Sequence, residues 1–425
     1  MRDDRLHRTL DALWRMESPR LVARIARMIG DVGIAEELAQ DVLVAALERW
    51  PEEGLPGNPA AWLMTAAKRR AIDHLRQRAL HARKRTEFGI ELELHGADMT
   101  DDALAHADDD IGDDLLRLVF AACHPVLPQE SRVALTLRLL GGLTTAEIAR
   151  AFLQPEPTVA QRIVRAKRTL AEKRVPFEVP RRAELGERLD AVLEVVYLVF
   201  NEGYSASVGE DWMRPGLCDE ALRLGRVLAG LLPGEAEVFG LLALMELQAS
   251  RTKARTAADG SPILLMDQDR NRWDRLQIER GMKALARAQR LAASGAPGPY
   301  ALQAAIAACH AGARRAEDTD WARIAALYGV LARIAPSPVV ELNRAVAMAR
   351  AEGPAAALPL IDALRDAPQL RGYGLLHAAR ADLLRRLGRL DEAAREYERA
   401  AELAGNARDR ALMREQAAAC IAQAP

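Results

Sequence analysis

The residues whose types and spacing best suit chemistry are the outward polar side chains of a predicted helix within residues 143–174. Arginine and glutamine on one face of a helix can contact base edges and phosphates in a DNA groove. Apolar residues at i, i+4, i+7 and i+11 would fix the opposite face on a partner helix; they are Val159, Ile163, Ala166 and Leu170. The candidate contacts with DNA are Thr158, Gln161, Arg162, Arg165 and Arg168. The alternative interpretation is an ordinary solvated arginine face.

A second, shorter helix is predicted just before this one. Thr144 followed three residues later by Glu147 forms a capping box, in which each side chain satisfies a free backbone N–H at a helix start. Pro155 and Pro157 end that helix, because proline lacks the backbone donor and biases its predecessor toward extended geometry. The combination predicts a helix-turn-helix that binds DNA.

Length and composition indicate an all-α protein of several domains. The 425 residues are 50% hydrophobic and only 4% aromatic, with segments rich in Ala, Leu, Arg and Glu, which are strong helix formers. No run of 18 apolar residues and no signal peptide is present, so a cytoplasmic location is expected. Neither a phosphate-binding loop nor a GxSxG, HExxH or CxxC pattern occurs, which argues against an enzyme, a cofactor or a metal site.

Charge is distributed unevenly along the chain. The formal net charge is −1, but residues 86–114 hold 11 Asp and Glu and no Lys or Arg. The flanking residues 1–85 and 115–182 carry net charges of +4 and +7. Two basic blocks separated by an acidic segment have the charge distribution expected for contact with nucleic-acid phosphates. On composition alone the acidic segment is equally consistent with a solvated spacer.

Two further helices are predicted in the first basic block. The first, Ala35–Trp50, has a polar face containing Glu36, Glu37, Gln40 and Asp41, which is either solvated or docks on a basic protein partner. A loop over residues 51–59 follows. Asn58 then caps a helix with Pro59 in its first turn and Trp62 on its inner side. Its many arginines would bind a nucleic-acid backbone with a steep dependence on salt.

The order of these segments resembles that of bacterial extracytoplasmic-function sigma factors over roughly residues 10–175. The matching stretches are AEELAQDVLVAALERW, NPAAWLMTAAKRRAIDHLR, the acidic segment and VAQRIVRAKRTLAEK. The resemblance implies that residues 1–80 are sigma region 2, that 81–114 (with its acidic part from Thr86 to Asp114) are a linker in a polymerase channel, and that 115–178 are sigma region 4, which binds the −35 promoter element.

The resemblance also implies the partners, core RNA polymerase and promoter DNA. The residues at polymerase-binding positions are Glu36, Glu37, Gln40 and Asp41. The residues expected to engage the −10 element are Trp62, Lys68, Arg69, Arg70, Asp73, His74, Arg76 and Arg78. The loop over 52–58 would hold a base flipped from the melted strand. Many relatives have Asn where this chain has Arg69, so their −10 base preference does not transfer.

Residues 183–425 are predicted to form an α-solenoid of tetratricopeptide-like helix pairs. One set of residues has the small, small, aromatic, small spacing of that repeat: Ala381, Ala393, Tyr397 and Ala400. A second set lies 36 residues earlier: Ala345, Ala357, Ile361 and Leu364. The alternative is an irregular helical bundle. A solenoid would offer a face for a protein or peptide regulator.

Two patches in this half differ from repeat sequence, namely VVYLVFNEGYSAS at 195–207 and DQDRNRWD at 267–274. The second lacks the Gly and the last Glu of a calcium loop, so alternating Asp and Arg predict a salt-bridged junction around Trp273. Both resemble patches in a sigma-factor subgroup with a tetratricopeptide-like extension. We hypothesise that they regulate the sigma regions in cis. The candidate regulatory contacts are Tyr197, Asn201, Glu202, Tyr204, Asp267, Asp269, Arg272 and Trp273.

The competing interpretation is a helix-turn-helix transcription activator with a tetratricopeptide sensor domain. Such a protein would bind duplex DNA without polymerase. It would have no use for the predicted docking helix at 35–50 or the basic helix that follows it, so the first basic block favours the sigma factor.

Overall fold

A computed structural model gives the fold of the chain, and regular structure in it is helical. One isolated antiparallel bridge joins Thr256 and Pro262. The all-α prediction is confirmed. The residues that the structure describes are 2–87, 111–152, 154–205, 213–257, 261–292 and 295–423. They divide into two compact units, Met1–Val196 and Tyr197–Pro425.

The N-terminal unit contains seven helices and the first part of an eighth within the described residues. They are α1 (Arg2–Ile29), α2 (Val32–Glu53), α3 (Pro59–Glu87), α4 (Ile111–Ala122), α5 (Gln129–Leu139), α6 (Thr145–Ala151), α7 (Glu156–Glu172) and α8 (Arg182–Tyr204). Helix α1 packs on α2, α3 and α4, while α5 and α6 pack on α7. The core is aliphatic, with Leu21, Ile25 and Leu63 fully buried.

Only two residues, Gly30 and Asp31, separate α1 from α2. Gly30 adopts φ +76°, a left-handed conformation that glycine reaches without strain. Asp31 then caps α2, since its Oδ1 accepts from the N–H groups of Gly33 at 2.7 Å and Ile34 at 3.1 Å. Helix α2 therefore begins at Val32 instead of Ala35.

The predicted loop over 51–59 is also too long, because α2 continues through Pro51 to Glu53. Gly54, at φ +85°, ends the helix and donates its N–H to the Trp50 carbonyl at 3.0 Å. Asn58 caps α3 as predicted, its Oδ1 accepting from the Ala61 N–H at 3.1 Å.

The predicted linker over 81–114 is helical at both ends. Helix α3 extends to Glu87 and α4 begins at Ile111, while residues 88–110 lie outside the described residues. Asp114, the last residue of the predicted linker, is buried in α4, so the solvated-spacer alternative does not hold for it. The acidic composition of the segment concealed a helix start.

Helix α8 spans the division between the units. It starts at Arg182, one residue before the predicted boundary at 183, and the N-terminal unit extends to Val196. Within that unit Arg188 donates to the Phe120 carbonyl at 2.9 Å, and Glu194 accepts from Arg132 at 3.2 Å. These contacts hold the first half of α8 on α4 and α5.

The C-terminal unit consists of the end of α8 and ten further α-helices among the described residues. They are α9 (Pro215–Leu231), α10 (Ala236–Ala249), α11 (Arg275–Leu291), α12 (Pro299–Gly312), α13 (Trp321–Ile334), α14 (Pro338–Ala351), α15 (Pro354–Ala363), α16 (Gly374–Arg386), α17 (Leu390–Leu403) and α18 (Ala407–Gln423). Helices adjacent in sequence pack together, α14 on α15 and α16 on α17 among them.

The residues at the predicted repeat spacing pack into the core of these helix pairs. Ala381, Ala393 and Tyr397 belong to one buried cluster with Ala357 and Ile361. Their burial agrees with helix pairs that stack side by side. The tetratricopeptide assignment itself stays a prediction. Across the described residues, no helix is both long and apolar enough to cross a membrane.

Candidate nucleic-acid interface

The helix-turn-helix forms where the sequence predicted it, in α6 and α7. At the start of α6, the Thr144 N–H donates to Glu147 Oε2 at 2.8 Å and the Glu147 N–H donates to Thr144 Oγ1 at 3.1 Å. This reciprocal pair is the capping box. Helix α7 begins just after Pro155, with Pro157 in its first turn.

Helix α7 separates its residues into a buried and an outer face. The buried residues are the four predicted, Val159, Ile163, Ala166 and Leu170. The exposed candidates are Thr158, Gln161, Arg165 and Arg168. Arg162 is half-buried and donates to Gln154 Oε1 at 2.7 Å. Four of the five candidate side chains are therefore exposed, and one of them, Arg168, forms an ion pair with Glu172 at 2.6 Å.

Val164 also lies on the outer part of α7, and sequence reasoning missed it. Its side chain is 62% exposed, although its neighbours in the apolar stripe are buried. An apolar side chain on the reading face of such a helix can contact the thymine methyl group. The signal was available in the sequence, because Val164 breaks the amphipathic pattern on the polar side.

Helix α3 presents the second group of candidates. Arg69, Asp73, Arg76 and Arg78 are exposed, whereas Trp62, Lys68, Arg70 and His74 are half-buried. The Trp62 ring packs edge-on against Trp50, with 5.3 Å between ring centroids. Trp50 is buried, so it fixes Trp62 while leaving part of that ring accessible.

An ion pair joins the candidates for DNA contact to those for polymerase contact. Arg70 on α3 donates to Asp41 on α2 at 3.4 Å. Both side chains are substantially exposed, so this pair contributes little to stability. It places the two predicted surfaces next to each other on the N-terminal unit.

Glu36 does not lie on the exposed face of α2, and that prediction was wrong. Only 5% of the residue is exposed. Its Oε1 accepts from Arg138 Nε on α5 at 2.6 Å, and its other oxygen forms an ion pair with Lys167 on α7. Burial by itself would raise the pKa of the Glu36 carboxyl, but Lys167 and Arg138 outweigh burial and hold that pKa below its usual value. Gln40 donates to the same carboxylate at 2.8 Å.

The exposed face of α2 instead combines acidic and apolar side chains. Glu37 and Asp41 are exposed as predicted. Val44 is 51% exposed and Leu47 is 37% exposed on the same helix. Large apolar residues on a helix surface together with carboxylates suit docking on a partner with apolar and basic groups. Sequence reasoning missed Val44 and Leu47, because it named only polar residues on the outer face of this helix.

Asp114 is a second buried carboxylate that binds several arginines, and sequence reasoning missed it as well. It is 1% exposed and accepts from Arg117 at 2.6 Å, from Arg24 at 3.3 Å and from Arg27 at 3.3 Å. The two arginines of α1 thereby bind the start of α4. No local pattern announces this cluster, since Asp114 ends a run of carboxylates.

The Glu36 and Asp114 clusters join the helices before the acidic segment to those after it. A pocket of 290 Å³ lies beside α7 and is lined by Gly30, Lys167, Leu170 and other residues. The carboxylate of Glu36, in particular, ties the recognition helix α7 to α2.

The candidate regulatory residues are mostly internal to the C-terminal unit. Trp273 is buried, and Tyr197 packs edge-on against Tyr300 at 5.5 Å. Glu202 is paired with Arg214. Asn201 and Tyr204 are half-buried, whereas Asp267, Asp269 and Arg272 are exposed.

The salt-bridged junction predicted around Trp273 does not form. Asp269 Oδ1 accepts from the Asn271 N–H at 2.9 Å, and Asp274 Oδ1 accepts from the Gln277 N–H at 3.0 Å, so both carboxylates cap helices. No ion pair links Asp267, Asp269 or Asp274 to a neighbouring arginine among the described residues. Short polar side chains bond readily to nearby backbone, which outcompetes pairing with arginine here. No group of three or more potential metal ligands occurs within the described ranges.

Comparisons with known proteins agree with this arrangement. Residues 13–80 match the family model for sigma-70 region 2, and residues 117–170 match that for sigma-70 region 4. Residues 188–289 match a family of unknown function (DUF6596). An uncharacterized protein of Rhizobium meliloti is 44% identical over 400 residues, which are 94% of this chain and 92% of that protein.

Named sigma factors match the first part of the chain. The ECF RNA polymerase sigma factor SigK of Mycobacterium ulcerans is 30% identical over 156 residues, covering 36% of this chain and 78% of that protein. The probable ECF RNA polymerase sigma factor SigI of Mycobacterium tuberculosis is 27% identical over 173 residues, 41% of this chain and 58% of that protein. The chain therefore belongs to the family of extracytoplasmic-function RNA polymerase sigma factors and carries a long helical C-terminal extension.

Proposed function

We propose that this sigma factor binds core RNA polymerase through the exposed face of α2 and recognises promoter DNA at two elements. Helix α7 contacts the −35 element, and α3 engages the −10 element and helps to open the duplex. The protein acts in the cytoplasm without catalytic chemistry of its own. The C-terminal unit regulates these activities in cis.

The observation that carries this proposal is the outer face of α7. Its four apolar residues are buried, so Thr158, Gln161, Arg165 and Arg168 face away from the protein core. Arginine and glutamine recognise base edges by paired hydrogen bonds, and arginine also binds phosphates. A single short recognition helix makes few contacts with DNA. The proposal therefore includes a second contact with the promoter through α3.

Duplex opening requires a protein that binds unpaired bases better than paired ones. Unstacking costs a few kcal/mol per step, and stacking of a base on an aromatic ring recovers ~1–3 kcal/mol. Helix α3 offers the partly accessible ring of Trp62 beside the exposed Arg69 and Arg76. This combination supports a role in holding the melted strand.

The docking surface for polymerase is the line of Glu37, Asp41, Val44 and Leu47 on α2. To test it, core polymerase is captured with full-length protein carrying Val44→Lys. Val44 is already half exposed, so the substitution preserves folding, yet its charge would oppose apolar docking and we expect about tenfold weaker capture, or ~1.4 kcal/mol. Leu276→Lys is the matched control, because Leu276 is 59% exposed in the other unit.

Permanganate footprinting of a promoter with the captured complexes completes the experiment. Reactive thymines around the −10 element are expected with the wild type and the control, and few with Val44→Lys. Binding to duplex DNA without any capture of polymerase would instead support a helix-turn-helix activator.

A further inference from the structure

The C-terminal unit contains a ladder of arginine and aromatic side chains. Arg255 lies over the Tyr204 ring, with its Cζ 3.5 Å from the ring centroid. Arg251 lies 5.8 Å from the Tyr204 centroid and 5.7 Å from that of Trp273, and Arg270 lies 4.8 Å from the Trp273 centroid. Three cations therefore alternate with two rings in one place.

Two of these arginines form no close ion pair with a carboxylate among the described residues. The side chain of Arg251 makes two ring contacts there and no hydrogen bond. Arg270 donates to the carbonyls of His310 at 2.6 Å and Ala313 at 2.8 Å, and to Thr319 Oγ1 at 3.1 Å. All three acceptors are neutral, and Asp318 and Glu317 attract the Arg270 charge only from beyond ion-pair distance.

The nearest carboxylates have other partners. Asp318 accepts from Arg315 at 2.9 Å, and Glu317 lies 3.4 Å from the same arginine. Asp269 and Asp274 cap helices. Arg251 and Arg270 thus form no close ion pair with a carboxylate of the described residues.

Buried polar atoms at the same place are unsatisfied. Arg270 Nε and Trp273 Nε1 have no hydrogen-bond partner in the described structure, and neither does Nδ1 of His310. Arg270 is 6% exposed and Trp273 is 3% exposed, so bulk water does not readily satisfy them. Buried donors in native proteins almost always have an acceptor, so the N–H groups at Arg270 Nε and Trp273 Nε1 are open to one here.

Burial and neighbouring charges shift the protonation of these groups. Burial and then Arg251 lower the pKa of the Arg270 guanidinium, and Asp318 and Glu317 oppose part of this shift. Burial, then Arg251 and Arg270, lower the pKa of His310 to about 4, so His310 is neutral near pH 7. A contact between a cation and an aromatic ring recovers only part of the free energy lost when a guanidinium leaves water.

We propose that Arg251, Arg270, Trp273 and His310 form a binding site for a small oxyanion, the phosphate or carboxylate group of a metabolite. The guanidinium fork matches the oxygen atoms of both groups, and buried N–H donors add directed hydrogen bonds. Arg251 is only half-buried, so it offers the approach to the deeper donors. The site gives the C-terminal unit a ligand of defined chemistry, independently of how the sigma regions act.

Calorimetric titration of full-length protein with sodium phosphate, and separately with sodium succinate, tests the site. Sodium chloride holds the ionic strength constant, so that general screening cancels. We expect saturable binding of one of the two anions, and the anion that binds identifies the class of ligand. Arg251→Gln should weaken that binding about tenfold, or ~1.4 kcal/mol.

Arg287→Gln is the matched control. Arg287 also lies over an aromatic ring, 5.8 Å from the Phe239 centroid, but outside the cluster. Trp273→Phe keeps an aromatic ring and removes only the unsatisfied N–H, so it should weaken binding without loss of helical signal in circular dichroism. The proposal is overturned if neither anion binds saturably to the wild type, or if Arg251→Gln binds as tightly as Arg287→Gln.

Discussion

Burial and partners decide what each polar residue does, as Glu36 and Asp41 of α2 illustrate. Both are carboxylates in the same predicted polar face. Glu36 is buried between Arg138 and Lys167, whereas Asp41 is largely exposed beside Arg70. The partners of Glu36 lie about a hundred residues away along the chain, so no local pattern distinguishes the two. Asp41 remains a candidate for partner binding, whereas Glu36 holds α2 to α5 and α7 inside the protein.

Arg165 and Arg69 should separate duplex binding from duplex opening. Arg165→Ala removes an exposed cation of α7, so we expect about tenfold weaker binding to −35 DNA and a salt slope reduced by about 1. Arg69→Ala removes an exposed cation of α3, so duplex affinity should persist while promoter opening declines. Fluorescence anisotropy over a series of salt concentrations measures the first effect, and permanganate reactivity measures the second.

Arg20→Ala serves as the control for both variants, because Arg20 is half exposed on α1 beside Glu17 and outside both candidate surfaces. If Arg165→Ala and Arg69→Ala reduce duplex binding and promoter opening equally, α3 and α7 do not have separate roles in these two steps.

The elements with strong local signals were predictable from the sequence. The capping box of Thr144 and Glu147, the cap at Asn58 and the apolar face of α7 all formed as predicted, because each depends on neighbours within a few residues. Other helix ends were misplaced. Helix α2 runs through Pro51 to a glycine cap at Gly54, and the helix containing Asp114 begins inside an acidic segment, where Arg24 and Arg27 bind that carboxylate. Hydrophobic periodicity reports neither a glycine cap nor a tertiary contact.

The joint between α1 and α4 should depend on Asp114. Asp114→Ala leaves Arg24, whose side chain is 5% exposed, as a buried charge without its carboxylate. Removing one member of a buried ion pair costs about 3–5 kcal/mol. In guanidinium denaturation of the full-length protein, the first unfolding transition should therefore occur at a lower denaturant concentration.

Asp73→Ala is the matched control for this joint. Asp73 is 69% exposed and lies 4.0 Å from Arg76, so its loss should cost less than ~1 kcal/mol. Equal shifts for the two variants would mean that Asp114 contributes no more than a surface pair.

The tie between α2 and α7 should depend on pH through Glu36. Because its pKa is lowered in the folded protein, its contribution is fully present above the unfolded value of ~4.3 and is lost as pH falls through the folded pKa. Wild-type stability should therefore fall more steeply than that of Glu36→Gln on acidification. At neutral pH, Glu36→Gln should already be less stable by about 1.5–3 kcal/mol. Parallel pH profiles from denaturation at each pH would contradict the assignment.

At the scale of the whole molecule, the sequence predicted the order of the domains better than their boundaries. The two sigma regions and the helical extension follow the predicted order, with family matches at 13–80, 117–170 and 188–289. The division between compact units falls at Val196, inside α8. A continuous amphipathic helix gives no composition change at that point, so only the contacts of Arg188 and Glu194 reveal it.

Two truncations should therefore behave differently. Residues 1–196 retain the bond from Arg188 to the Phe120 carbonyl and the pair between Arg132 and Glu194, which residues 1–182 lack. A hydrogen bond from a charged group contributes about 1.5–3 kcal/mol, and a unit of this size loses roughly 2–4 °C in Tm per kcal/mol. Calorimetry should thus give residues 1–182 a Tm several degrees lower.

Promoter-specific transcription with residues 1–196 and with the full chain then tests regulation in cis. If output and response to the oxyanion are the same for both, the C-terminal unit does not regulate the sigma regions. If only residues 1–182 differ, the effect belongs to the lost half of α8.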